Sequence, residues 1–184
     1  MNDWLTGELV RLAAPNPETD GELFAKWSND GEYLRLLDSD PARGVTIKQA
    51  KEFMEEEQKD NQFRFMIHTA ADDRVIGFIG LWVNWVNDGA WVGIGVGEPE
   101  FRGKGYGTDA MRVLLRFAFT ELNLHRVSLG LFGYNERARR SYEKAGFTLE
   151  GHMREEVHRE GKRWDGLVVG ILRREWQATQ EMRE

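Results

Sequence analysis

The sequence predicts one α/β domain, in which a mixed and mostly antiparallel central sheet of about seven strands is flanked by about four helices. Two observations lead to this fold class. Candidate strands and helices follow one another in the order β, α, α, β, β, β, α, β, α, β, β, and the spacing of apolar residues changes from a strand period to a helix period after Gly105. No linker rich in Ser, Gly or Pro interrupts the 184 residues, so we expect residues 1–184 to form a single domain.

The first part of the chain is expected to form one strand and two helices. Residues Glu8–Ala14 alternate as a strand does, and a Pro-Asn-Pro break ends the alternation. Helical spacing then covers Pro17–Asn29, and a second helix is expected over Thr46–Lys59, with Thr46 as its cap. The polar segment between these helices, Asp30–Val45, is predicted to be a mobile loop.

The rest of the chain alternates between strands and two further helices. An apolar stripe after Gly105 predicts an amphipathic helix of about 17 residues. Asn135 is expected to cap the last helix, and Gly146 to end it. The strands are expected at Phe63–Thr69, Arg74–Val86, Ala90–Gly97, Arg126–Phe132, Phe147–His158 and Arg163–Leu172.

Composition excludes several classes of function. The chain has no Cys, which rules out disulfides, zinc–thiolate sites, iron–sulfur clusters and a cysteine nucleophile. The formal net charge of −6 argues against a general nucleic-acid binder. The N-terminus lacks the basic and apolar regions of a signal peptide, and no apolar run is long enough for a membrane helix. We therefore expect a cytoplasmic protein that binds neither nucleic acid nor membrane.

The segment Gly97–Thr108 carries the clearest chemical signal. Glycines at 103, 105 and 107 join a strand to a helix, and such a turn exposes backbone N–H groups at the positive end of the helix dipole. Arg102 and Lys104 add positive charge, and the Thr108 hydroxyl is expected to cap the helix. This arrangement predicts a phosphate site, although a tight turn that merely needs glycine is the alternative. The Walker pattern fails here, and the dinucleotide-binding pattern is met only weakly.

Two linked motifs resemble those of the GNAT superfamily of N-acetyltransferases. Arg102-x-x-Gly105-x-Gly107 resembles the R/Q-x-x-G-x-G/A pyrophosphate loop of that family. The second signature, N-x-x-A-x-x-x-Y-x-x-x-G-F, is matched from Asn135 through Tyr142 to Phe147. The tail over residues 150–165 is similar to the branch that holds ribosomal-protein N-terminal acetyltransferases and spermidine acetyltransferases. The resemblance covers nearly the whole chain and implies the GNAT fold.

The resemblance implies acetyl-CoA as the cosubstrate and no metal. Arg102 would stand at the entrance of the pyrophosphate loop, and Asn135 would hydrogen-bond the pantetheine arm, unless it is only a helix cap. Arg139, or a neighbouring arginine at 137 or 140, would reach the 3′-phosphate, although a solvated basic face is the alternative. The loop amides that would hold the pyrophosphate are those of Gly103, Lys104, Gly105, Tyr106, Gly107 and Thr108.

The expected chemistry is direct attack of an amine on the thioester. A backbone N–H of the strand before the loop, that of Val96 or a neighbour, would hold the thioester carbonyl. Tyr142 would protonate the leaving thiolate, unless it only packs against Phe147. Many relatives place a Glu base where this chain has Trp91. The base therefore stays open, with candidates in the last hairpin at Glu155, Glu156, His158 and Asp165.

The acceptor is expected to be a primary amine, with a protein N-terminal amine or a polyamine favoured over other small amines. It would lie between the last hairpin and the first two helices, beside aromatic side chains and the acidic residues that include Asp30, Asp38 and Asp40. Trp91 also leaves open a module that binds or senses CoA without catalysis, and a structural protein with an incidental glycine turn is a third reading. A homodimer is expected from the family.

Overall fold

The computed structural model describes residues 4–55 and 59–181. Residues 56–58, in the last part of the predicted helix Thr46–Lys59, lie outside the described residues. The strands are β1 (Val10–Ala13), β2 (Gln62–Thr69), β3 (Val75–Asn84), β4 (Gly89–Val96), β5 (Arg126–Phe132), β6 (Thr148–Arg159) and β7 (Lys162–Leu172). The α-helices are α1 (Pro17–Trp27), α2 (Gly31–Leu37), α3 (Ile47–Glu55), α4 (Tyr106–Arg116), α5 (Glu136–Ala145) and α6 (Arg173–Glu181).

The seven strands form one sheet in the order β1-β2-β3-β4-β5-β7-β6. All neighbouring strands are antiparallel except β4 and β5, which are parallel. Met66 and Ile67 are successive residues of β2 and therefore point to opposite faces of the sheet. Met66 packs in a cluster with Trp27 and Tyr33 of the first two helices, whereas Ile67 belongs to the larger core that α4 covers. The predicted mixed, mostly antiparallel sheet with helices on both faces is confirmed.

Two helices were not expected from the sequence. Helix α2 occupies the start of Asp30–Val45, so the prediction of a mobile loop was wrong for that part. The side chain of Asp30 accepts from the backbone N–H of Tyr33 at 3.1 Å, which caps the helix. Helix α6 follows β7 directly and packs Trp176 against Phe119, at a ring distance of 5.4 Å. The predicted helix after Gly105 is found as α4 and a π-helical turn that continues it to Glu121.

A buried carboxylate ties α1 to the end of β4. Glu98 is 3% exposed, and it accepts hydrogen bonds from Lys26 Nζ at 2.8 Å and from Trp27 Nε1 at 3.0 Å. Burial alone would raise the pKa of Glu98, but these two donors outweigh it and the pKa is lowered. The carboxylate therefore stays charged and fixes the segment that leads from β4 into the glycine-rich loop.

Candidate active site

The parallel strands β4 and β5 separate near their midpoints. Their pairing is limited to Gly89–Trp91 against Arg126–Ser128, although β4 continues to Val96 and β5 to Phe132. Beyond Trp91 the backbone of β4 has lost its partner on that edge while it keeps its pairing with β3 as far as Val96. A sheet that opens in this way offers unpaired backbone groups to a ligand that enters the gap.

The N–H of Val96 faces this gap. Gly97 donates its N–H to Ile76 O on β3 at 2.8 Å. Because successive residues of a strand direct their N–H groups to opposite edges, the N–H of Val96 points to the edge that β5 has left. The carbonyl oxygen of Val96 faces the same edge and accepts from Arg102 Nε at 3.0 Å. The structure therefore places the Val96 N–H, one of the predicted site residues, at the open edge of β4.

The glycine-rich loop turns the chain from β4 into α4. Gly103 and Gly105 have φ angles of 74° and 95°, in the left-handed region that favours glycine. Gly105 caps α4 and has no side chain, so within residues 4–55 and 59–181 no side-chain hydrogen bond caps the first N–H groups of the helix. Uncapped N–H groups of this kind are suited to an anion. The expected capping by Thr108 is wrong, because its hydroxyl instead pairs with that of Ser141 at 2.8 Å.

A cleft of about 530 Å³ runs from the gap over the N-terminus of α4 to α5. The predicted site residues that line it are Val96, Arg102, Gly103, Gly105, Gly107, Thr108, Asn135 and Tyr142. Three predicted residues, Lys104, Tyr106 and Arg139, are not in the lining. The ring of Tyr106 packs edge-on against Phe101 at 5.0 Å, and Arg139 pairs with Glu143 at 3.0 Å.

Besides Arg102, four basic side chains line the cleft: Arg112, Arg137, Arg140 and Lys144. They concentrate positive charge in a chain whose net charge is −6. Of the arginines considered for the 3′-phosphate, those at 137 and 140 therefore face the cleft, whereas Arg139 turns to Glu143. Arg112 and Lys144 were missed because they lie on helix faces whose orientation the sequence did not reveal.

Helix α5 presents one face to the cleft. Asn135, Ala138 and Tyr142 recur at helical spacing along this face. Asn135 caps the helix by accepting from the N–H of Ala138 at 3.1 Å, and its amide donates to Leu36 O at 3.3 Å. Tyr142 is half-buried, with its ring 6.1 Å from that of Phe147. Burial raises the pKa of Tyr142 to about 12, so the phenol holds its proton at neutral pH.

Arg102 connects the start of the glycine-rich loop to the start of helix α2. Its guanidinium donates to Gly97 O at 2.5 Å and to Asp30 Oδ2 at 2.9 Å, and it lies 5.1 Å from the ring centre of Tyr33. Burial would raise the pKa of Asp30, but the Tyr33 N–H and Arg102 outweigh it and lower the pKa. Asp30 is therefore engaged inside the protein rather than offered to a cationic amine.

Helix α2 forms one side of the cleft, and direct contacts join it to the last hairpin and to the segment before α5. Leu36 and Leu37 of this helix line the cleft. Tyr134 donates its hydroxyl to Arg35 O at 2.7 Å, and Arg159 donates to three consecutive carbonyls, those of Asp38, Ser39 and Asp40, at 3.0, 2.7 and 3.0 Å. The expected acceptor region between the first helices and the hairpin is thus bridged by direct contacts. Leu36 and Leu37 were missed because their helix was read as a loop.

The strand position expected for a base carries no carboxylate. Trp91 is 52% exposed and stands opposite Trp82 across β3 and β4. Of the candidates in the last hairpin, Asp165 accepts from the backbone N–H of Glu155 at 3.0 Å. The carboxylate of Glu156 lies over Gly166, where an added Cβ would collide with it. No hairpin carboxylate is singled out as the base by these contacts.

Within residues 4–55 and 59–181, no group of three or more acidic or histidine side chains is arranged to hold a metal ion. None of the helices described there has the length and apolar character needed to cross a membrane.

Residues 10–148 match the family model of the acetyltransferase (GNAT) domain. The chain is 32% identical over 173 residues to the SPbeta prophage-derived uncharacterized N-acetyltransferase YokL of Bacillus subtilis, which covers 94% of each chain. It is 33% identical over 114 residues to a spermidine N(1)-acetyltransferase of Vibrio cholerae, covering 61% of this chain and 65% of the relative. A crystal structure of the Vibrio cholerae spermidine N-acetyltransferase with CoA and spermine has the same fold, with a TM-score of 0.82, 24% identity and coverage of 92% and 98% of the two chains.

Proposed function

The chain belongs to the GNAT family of N-acetyltransferases, whose acetyl donor is acetyl-CoA, and from this premise we propose that it moves the acetyl group directly to a primary amine of a polyamine or of a protein N-terminus. The observation that carries the proposal is the parting of β4 from β5 beside a glycine-rich helix N-terminus. This geometry offers a gap for a thioester and an anion site for a pyrophosphate in one continuous cleft.

The residues of the cleft fit acetyl-CoA. The free amides at the start of α4 suit a pyrophosphate, and no side chain fills the cradle because Gly103 and Gly105 form it. The basic side chains Arg112, Arg137, Arg140 and Lys144 suit the 3′-phosphate. In this proposal Arg137 and Arg140 take the role that Arg139 was expected to have. The side-chain NH₂ of Asn135 donates to Leu36 O of α2. In this proposal it turns to a pantetheine carbonyl, while the side-chain oxygen keeps its capping hydrogen bond.

The chemistry follows from groups that face the gap. In our proposal the Val96 N–H, or that of a neighbouring residue with the same orientation, donates to the thioester oxygen, where negative charge develops as the amine attacks. Tyr142 is protonated throughout the physiological range and gives its proton to the departing thiolate. Because the chain has no Cys, an acyl-cysteine relay is excluded and the amine attacks the donor directly.

Support for an amine of the polyamine or N-terminal type comes from the relatives. A Vibrio cholerae relative is named for spermidine, and a structure with the same fold holds spermine. An extended cation of this type would approach on the side of β4 that carries Trp91, since the opposite side is closed by the core under α4. A homodimer in solution is a further part of this proposal, and light scattering on the purified protein tests it.

Calorimetric titration of acetyl-CoA into the wild type and a Gly105→Glu variant tests the donor site. We expect micromolar binding to the wild type and no measurable binding to the variant, because a glutamate at a φ of 95° strains the loop and places a negative charge in the anion site. Gly151→Glu is the matched control, since nothing lies within 4 Å of a Cβ added at that strand position, which is outside the cleft lining. Equal binding by wild type and Gly105→Glu contradicts the proposed site.

Turnover with a panel of amines tests the reaction. Spermidine, spermine and peptides with free N-termini are each offered with acetyl-CoA, and release of CoA is measured against N-acetylated peptide controls. We expect turnover with at least one free amine and none with its blocked form. Tight binding of acetyl-CoA without turnover of any amine would instead favour a module that senses CoA.

A further inference from the structure

The hydroxyl of Tyr33 is an unpaired polar group in the wall of the cleft. Tyr33 is 6% exposed, and its hydroxyl oxygen has no hydrogen-bond partner among residues 4–55 and 59–181. Buried hydroxyls without a partner are uncommon in folded proteins because the lost hydration is not replaced. A ligand that fills the cleft would supply the missing partner.

The position of this hydroxyl is fixed by Gly95. A Cβ added at Gly95 would collide with the Tyr33 hydroxyl oxygen, so the phenol lies directly against the backbone of β4. Gly95 is the residue before Val96, whose N–H faces the gap, and all three residues line the same cleft. The phenol thus stands beside the part of β4 that the thioester must pass.

The surroundings make the phenol a hydrogen-bond donor. The guanidinium of Arg102 lies over its ring at 5.1 Å and draws electron density from it, which strengthens the O–H as a donor and weakens the oxygen as an acceptor. Burial also raises the pKa of Tyr33 above its ordinary range, so the proton is kept at any working pH. Such a donor needs an acceptor with a lone pair. The thioester carbonyl oxygen offers two, whereas the lone pair of the attacking amine must stay available for the carbonyl carbon.

We propose that the Tyr33 hydroxyl donates a hydrogen bond to the thioester carbonyl oxygen of acetyl-CoA, as a second donor beside the backbone N–H at Val96. This inference rests on the proposed function. As the amine nitrogen forms its bond to the carbonyl carbon, the π electron pair moves to the oxygen, and both donors stabilise the charge there. The pair returns as the C–S bond breaks, and the thiolate takes a proton from Tyr142. The amine nitrogen releases one proton to solvent, and the Tyr142 phenolate takes one back from solvent, so that no net proton is gained or lost by the protein. Tyr33 keeps its own proton throughout.

Comparison of acetyl-CoA with CoA in the wild type and a Tyr33→Phe variant tests the contact without any acceptor. CoA has no thioester carbonyl, so its affinity should stay within twofold, whereas the preference for acetyl-CoA over CoA should fall by about fivefold, the worth of one hydrogen bond. In the infrared spectrum of bound [1-¹³C]acetyl-CoA, the thioester C=O band should lie at a lower frequency in the wild type than in the variant. The matched control is Tyr134→Phe, which removes a hydroxyl that supports α2 from outside the cleft lining. It should keep the preference and the band position.

Turnover adds an independent readout. With an amine that the wild type accepts, kcat of Tyr33→Phe should fall by on the order of 10²-fold, as for loss of one oxyanion donor. The midpoint of thermal unfolding should not fall, because the hydroxyl has no protein partner among the described residues. An equal loss of affinity for acetyl-CoA and CoA, or an unchanged C=O band, overturns the proposal. A wild type that shows the band shift but acetylates no amine contradicts the proposed function and leaves the Tyr33 contact standing.

Discussion

Replacement of Tyr142 by Phe tests whether its phenol is a buried, neutral acid. Burial raises the pKa of Tyr142 to about 12 from an ordinary 10.0. A folded-state pKa above the unfolded value means that this group's contribution to stability is complete below pH 10 and is lost as the pH rises towards 12. Between pH 9 and pH 11, the linkage relation gives a loss of about 1 kcal/mol in the free energy of unfolding from this group alone.

The assay is urea unfolding of the wild type and the Tyr142→Phe variant at pH 7, 9 and 11. Between pH 7 and 9 the Tyr142 phenol is neutral in both the folded and the unfolded protein. The free energies of unfolding of the two proteins should therefore change in parallel over this range, which is the internal control. Between pH 9 and 11 the wild type should lose about 1 kcal/mol more than the variant, because the variant has no proton to release at this position. Tyr33 remains in both proteins and cancels in the comparison.

The same variant tests the role of Tyr142 in turnover. Loss of a general acid lowers kcat by about 10²- to 10⁴-fold, and the affinity for acetyl-CoA should change little. The wild type should show no descending limb of kcat below about pH 11 from this group, since the phenol keeps its proton there. Parallel unfolding curves at all three pH values would show that Tyr142 is not held neutral by burial. A variant with wild-type kcat would show that it is not the acid.

Two further substitutions probe the frame of the site. Glu98→Gln should lower the free energy of unfolding by about 2 kcal/mol in urea at pH 7, because the hydrogen bonds from Lys26 and Trp27 lose their charged acceptor. Since the pKa of Glu98 is lowered, the wild type should also lose this advantage as the pH falls below 4.5, and equal acid slopes in both proteins would refute the assignment. Asn135→Ala should cost about 1 kcal/mol through loss of the cap and should raise KM for acetyl-CoA. Asn135→Asp keeps the cap but not the amide, so a raised KM at unchanged stability isolates the ligand contact, and an unchanged KM argues against it.

The elements that form the cleft could be predicted because their sequence patterns either repeat over several turns or occupy positions that few residue types can take. The stripe of α4 repeats over several turns, and the core under it is assembled from that stripe. The left-handed φ at Gly105 is favourable only for glycine, so the residue itself marks the turn. The cap and the end of α5 carry residue types that favour those positions, Asn135 and Gly146.

Helix α2 could not be predicted in the same way, because interactions far along the chain stabilise it. It spans Gly31–Leu37, too short for a periodic signal, and isolated helices of this length are unstable in water. Arg102 pairs with its capping residue Asp30 from 72 positions away, and Asn135 donates to Leu36 O from 99. The local signal was the Asp cap, which is weak alone because Asp is equally frequent in loops.

These long-range contacts also explain why the part of the site proposed for acetyl-CoA could be predicted from the sequence, whereas the part proposed for the amine, at α2 and the last hairpin, could not. The guanidinium of Arg102 joins Val96 O and Gly97 O at the mouth of the gap to Asp30 at the start of α2. The far end of α2 is held by the last hairpin through Arg159. The wall proposed to meet the amine is therefore positioned by the loop proposed to hold the pyrophosphate, while the residues of that wall face no requirement as strict as a left-handed turn. The residue types in this wall can therefore vary with the shape and charge of the amine. For this reason no local sequence pattern in the wall predicts the acceptor.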